Sequence, residues 1–145
     1  MTNEAGHAAT RTERGNIEIV RQVYAAFARR DIAAAFALLD PEVEFYQSDE
    51  VPWGGHYRGT EGAQAFFANL IGNISSTVVL QSFIDAGDSV VALGRTQGTV
   101  NASGARFDVP IAHAWTIRHG RVVRVQYFID NPTMLAALQA PPAAS

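Results

Sequence analysis

Two residues near the end of the chain, His113 and Asp130, have side chains suited to moving a proton. His113 alternates with Trp115 and Ile117 in "HAWTI", so the three share one face of an extended segment. An imidazole there, with an ordinary pKa of about 6.5, can act as base, acid or hydrogen-bond donor to an oxyanion. The position equally suits a buried histidine satisfied by one neighbour. Asp130 precedes "NPT", which leaves three roles open: a pocket acid, the cap of a short helix, or a partner for Arg95. A third group of interest is the stretch "VPWGGHYRGTEGAQAFF", residues 51–67, with Trp53, His56 and Tyr57 on a glycine-hinged loop. Gly54 and Gly55 let such a loop fold inward as a lid. One or two of its rings are then expected at a cavity mouth, and His56 is the one placed to meet a ligand's polar group.

These groups need a scaffold. From Asn16, a plausible N-cap, Ile17, Val20, Tyr24 and Phe27 recur at helical spacing. Tyr24 brings a hydroxyl into that apolar stripe and is either core or pocket. Asp31 opens a second short helix, which "DP" at Asp40 and Pro41 ends. "EVEFY" alternates as a strand with Val43 and Phe45 on one face. A helix over 61–72 carries Phe66, Phe67 and Leu70. Four strands follow, over 77–84, 89–100, 105–117 and 122–129, joined by the turns "DAGD", "NASG" and "RHGR". A helical piece over 132–138 closes the order. Short turns between neighbours demand antiparallel pairing. Helices laid across a strongly curved antiparallel sheet make an α+β cone, and such a cone is a natural small-molecule pocket.

Composition narrows the function further. The 145 residues suit one domain with a sizeable core, at 48 % hydrophobic and 17 % charged. The net charge of −3 gives no footprint for nucleic acid or an anionic membrane, and no apolar run reaches the roughly 20 residues that span a bilayer. All eleven basic residues are arginine, and there is no cysteine, which excludes disulfides and thiolate chemistry. His119 sits in a turn and His7 in a polar N-terminal stretch, and no H-x-H or H-x-x-x-H spacing supports a metal site. No phosphate-binding glycine loop or nucleophile elbow is present. The expectation is a tail over 1–15, one domain over 16–138 and a flexible tail over 139–145. No cofactor or metal is expected, and the cytoplasm is the default location.

Three stretches carry a family resemblance: "VRQVYAAFARRDIAAAFALLDPEVEF", "GGHYRGTEGAQAFF" and "HAWTIRHGRVVRVQYFID". Together they resemble the nuclear transport factor 2-like superfamily, specifically its SnoaL-like, ketosteroid isomerase-related branch. The resemblance implies the cystatin-like cone and a pocket that hosts cofactor-free chemistry. The ketosteroid isomerase base falls at Phe45, its tyrosine near Val23 and its protonated aspartate at His113, so that mechanism lacks two of its three parts. The limonene-epoxide hydrolase pattern finds Arg95 and Asp130, with Gln97 where a carboxylate is required. The polyketide cyclase pattern finds its histidine at His113 and its aspartate at Tyr127, three residues before Asp130.

The resulting expectation is cyclisation, isomerisation or dehydration of a compact, apolar, oxygenated substrate. His113 is the main acid/base or oxyanion group, Asp130 and Tyr127 are partners, and Arg95 neutralises developing charge. Tyr24, Trp53, Phe66 and Trp115 supply aromatic walls, with Phe45, His56, Gln97 and Phe128 as further substrate contacts. Whether Tyr127 or Phe128 and Asp130 face inward stays open. The alternative is a non-catalytic ligand-binding or dimerisation module. A homodimer is expected through the convex face, with Val91, Leu93 and Val122 to Val125 supplying its surface.

Overall fold

The computed structural model describes residues 3–141, with side chains from residue 15 onward. The first helix, α1, is Asn3–Ala28. It runs through the expected start at Asn16, whose side chain instead donates to the Gly87 carbonyl at 3.5 Å. Residues 3–14 are rich in Ala, Glu and Arg, good helix formers, so nothing local stops the helix before Asn3. The rest of the expected tails, residues 1–2 and 142–145, lies outside the described residues, as does the side chain of His7.

α1 ends in a double reverse bond, Asp31 N–H to the Ala26 carbonyl at 2.8 Å and Arg30 N–H to the Phe27 carbonyl at 3.0 Å. This places Arg30 at φ 62°, a left-handed position that usually goes to glycine. Asp31 then caps the second helix, α2 (Ile32–Ala37), its carboxylate accepting from the Ala34 N–H at 3.1 Å. The strand β1 (Leu39–Gln47) follows, then β2 (Gly55–Arg58), α3 (Gly59–Asn73), β3 (Ile74–Ala86), β4 (Ser89–Val100), β5 (Arg106–Arg118), β6 (Arg121–Ile129) and α4 (Asn131–Gln139). β2 is absent from the sequence reading. It is four residues long, and its glycine-rich entry masks the alternation.

The six strands form one sheet in the order β2-β1-β6-β5-β4-β3, antiparallel throughout except where β1 pairs with β6. The sheet is bent sharply where β3 crosses β4. A Cβ on Gly94 would lie 2.2 Å from the Val79 carbonyl oxygen, and one on Gly98 would lie 2.0 Å from that of Ser75. Only hydrogen at those two positions lets the neighbouring backbone fold over so closely. A register shift between Leu80 and Ser82 adds to the bend opposite Gly94. The concave face turns toward α1 and α3, and Phe45, Phe66, Trp115, Val125 and Met134 are buried between the layers. Val122 and Val125, expected on a convex pairing surface, point into this core instead.

Candidate active site

α1 and β5 bring three hydrogen-bonding rings together beneath the helices. The Tyr24 hydroxyl lies 2.6 Å from His113 Nδ1 and 2.9 Å from Trp115 Nε1. An indole N–H can only donate, so the Tyr24 oxygen accepts from Trp115; among the described residues its other partner is His113 Nδ1, and donating the phenol proton there satisfies this buried hydroxyl. His113 therefore holds its own proton on Nε2, and presents an N–H, not a lone pair, on its free edge. Burial pushes the His113 pKa down to about 3, so the ring stays neutral across the physiological range. Burial raises the Tyr24 phenol well above its ordinary value, a rise that the Trp115 hydrogen bond partly offsets. Tyr127 is raised too, first by burial and then by the nearby Tyr24. Neither phenol is a proton acceptor at neutral pH.

A cavity of about 300 Å³ opens over these rings, the lower end of the size range of small-ligand sites. Tyr24, Trp53, Phe66, His113, Trp115 and Tyr127 all line it, six of the residues the sequence singled out. Edge-to-face contacts hold the set: His113 to Tyr127 at 4.6 Å and Tyr24 to Trp115 at 5.3 Å between centroids. Tyr127 in turn stacks on Phe66 at 5.0 Å. Among the lining residues that were not anticipated are Gln47, Arg30 and Thr96. Gln47 follows Phe45 by two in β1, so alternation could have found it. Arg30 reaches the rim only through the left-handed turn after α1, for which the sequence has no signal.

The other expected site residues lie elsewhere, and strand parity explains most of them. Arg95 and Gln97 sit on the outer face of β4, where both bond the Asp108 carboxylate. Phe128 alternates with Tyr127 and is 49 % exposed on that same side. His56 pairs in register with Tyr46, stacks on its ring at 4.3 Å and bonds the Glu44 carboxylate at 3.1 Å, away from the cavity. Phe45 does face inward, but Phe66, Phe67 and Tyr127 cover it. Asp130 is a helix cap: its carboxylate accepts from the Thr133 N–H and hydroxyl at 3.2 and 2.8 Å. Among the described residues, no aspartate or glutamate lines the cavity.

The loop's three rings divide their work. Trp53 is buried in the cavity wall. Tyr57 pins it there, its hydroxyl 3.2 Å from the carbonyls of both Trp53 and Gly54 and accepting from Asn69. His56 faces out. His119 occupies the hairpin turn at φ 52°, exposed as expected. Among the described residues, no group of three or more His, Cys, Asp or Glu could hold a metal ion, and no helix is long and apolar enough to cross a membrane.

A bent sheet that wraps a cavity under amino-terminal helices defines a nuclear transport factor 2-like protein. Two solved structures share this frame. One, an NTF2-like protein of unknown function from Burkholderia pseudomallei, superposes with a TM-score of 0.81 at 28 % identity over 87 % of this chain and 98 % of its own. The other, an NTF2-like protein from Burkholderia thailandensis, gives 0.78 at 32 % identity over 85 % and 96 %. Within that class the chain belongs to the SnoaL-like domain family, whose model matches residues 20–125. TerC, crystallised with polyporic acid, is similar at 26 % identity and a TM-score of 0.79 over 87 % of this chain and 99 % of its own.

Proposed function

We propose that the cavity takes a compact, mostly apolar, oxygenated molecule and promotes its enolisation without a cofactor, as the first step of a cyclisation, isomerisation or dehydration. The observation that carries this reading is the relay Trp115 to Tyr24 to His113, which fixes the imidazole as an Nε2–H donor in an apolar hollow. A neutral N–H in a low-dielectric site stabilises a ketone oxygen more as it becomes an enolate. Because no carboxylate among the described residues lines the cavity, the substrate's C–H must already be acidic, and its proton passes to water at the mouth. Arg30 at the rim favours the anionic form. The TerC complex with polyporic acid supports an oxygenated ring compound as the ligand type.

The same lack of a carboxylate favours a second reading, binding without turnover. One experiment separates them. 2-Tetralone carries C1 protons activated by both ring and carbonyl, so its deuterium exchange in D2O can be followed by NMR. Enolisation requires the protein to accelerate that exchange, and His113→Ala to abolish the acceleration. Binding without acceleration leaves the second reading standing, and no binding removes both.

We also propose that the outer sheet face pairs two copies. Val79, Ile84 and Phe128 are 43–49 % exposed there, large apolar side chains that such a pairing would cover.

A further inference from the structure

Register places three polar side chains in one row across the concave face. Gln47 of β1 pairs with Tyr127 of β6, which pairs with His113 of β5. Adjacent strands lie about 4.8 Å apart, so the row spans about 10 Å between its outer Cα atoms. All three residues line the cavity. The outer two are an imidazole N–H and an amide, and the phenol lies between them. Among the described residues, neither the His113 Nε2 nor the Tyr127 hydroxyl has a protein partner.

Gln47 is the odd member. It is only 9 % exposed, and its Nε2 is fully buried with no hydrogen-bond partner. An unpaired amide nitrogen in such a place costs stability, and a leucine of similar size would avoid that cost. The terminal amide torsion of glutamine is broad and roughly two-fold, so a half-turn would exchange the amide ends and bring the N–H to the cavity side. No charged residue stands in the row.

We propose that Gln47 is the specificity-determining residue of this cavity, and that it selects ligands with two carbonyl-type oxygens set across the row. His113 Nε2–H takes one oxygen and the Gln47 amide takes the other. The inference rests on the cavity being a ligand site, as argued above.

Calorimetric titration of the full chain with 1-tetralone and 1,4-naphthoquinone tests it, because on the same fused-ring frame the quinone, a planar enedione, presents a second carbonyl across the ring from the first. The chain has no cysteine or lysine to add to the quinone. Wild type should bind the quinone about tenfold more tightly, the worth of one good hydrogen bond. Gln47→Leu should bring the two affinities together. Its denaturation midpoint should hold or rise, whereas a glutamine with a structural role would lose stability. A preference that survives Gln47→Leu, or a fall in its midpoint, overturns the proposal while the cavity reading stands. Binding of neither probe by wild type overturns both. If Gln47→Leu does not fold, Gln47→Met, which keeps the unbranched stem, is read by the same outcomes.

Discussion

At the scale of residues, the centre depends on which proton sits where. Trp115 can only donate, which leaves the Tyr24 proton for His113 Nδ1, its other partner, and that donation sets the tautomer of the imidazole. Tyr24→Phe should therefore do two things. It strands the indole N–H and the imidazole Nδ1 in a buried site, at about 1–3 kcal/mol each, so chemical denaturation should show a clear loss of stability. It also frees the imidazole, so the single Nε2–H pattern of His113 in nitrogen-15 NMR spectra should give way to a tautomer mixture. The pH response has a definite sign. Folding lowers the His113 pKa from 6.5 to about 3. Between those values the unfolded chain binds a proton that the native state refuses, so stability rises with pH across that window and is complete above it. Urea titrations from pH 4 to 7 should show this slope, of a few kcal/mol at most, and it should flatten in His113→Phe.

Among the elements, β4 sets the shape of the hollow. Gly94 and Gly98 stand where its neighbour bends over it, and each leaves room for a carbonyl that any Cβ would strike. Gly94→Ala forces the Val79 backbone to move, not a flexible side-chain tip. It should destabilise the fold by about 1–3 kcal/mol in thermal or chemical denaturation, and it should reduce ligand affinity by opening the bend. Exposed Gly72, which has nothing within 4 Å of its would-be Cβ and no left-handed backbone, serves as the control. The loop before β2 acts as a fixed wall. Tyr57, whose hydroxyl accepts from Asn69, ties the Trp53 and Gly54 carbonyls down, so Trp53 is held in place in this state.

For the whole molecule, the outer sheet face is the unsettled surface. Arg95, Gln97 and Asp108 form a polar cluster beside exposed Val79, and Phe128 stands exposed on the same face. If two copies pair there, Phe128→Asp should convert a dimer to a monomer in sedimentation at micromolar concentration, with the cavity unaffected. A wild-type chain that sediments as a monomer at all concentrations would remove the pairing.

Sequence periodicity was enough to place four helices, five of the six strands and the shared face of His113 and Trp115, because those depend on spacing along one chain. It also named most of the cavity's aromatic wall. It could not assign Arg95, Gln97, His56 and Phe128 to the outside, since a one-residue change of parity on a strand moves a side chain to the other face. Nor could it find the Tyr24–His113 bond, which joins residues 89 positions apart. The row of Gln47, Tyr127 and His113 exists only because β1 lies parallel to β6. Local pattern fixes what each segment is. Which side chains meet, which tautomer results and where Asp130 spends its charge depend on pairings between distant strands, and only the folded sheet decides those.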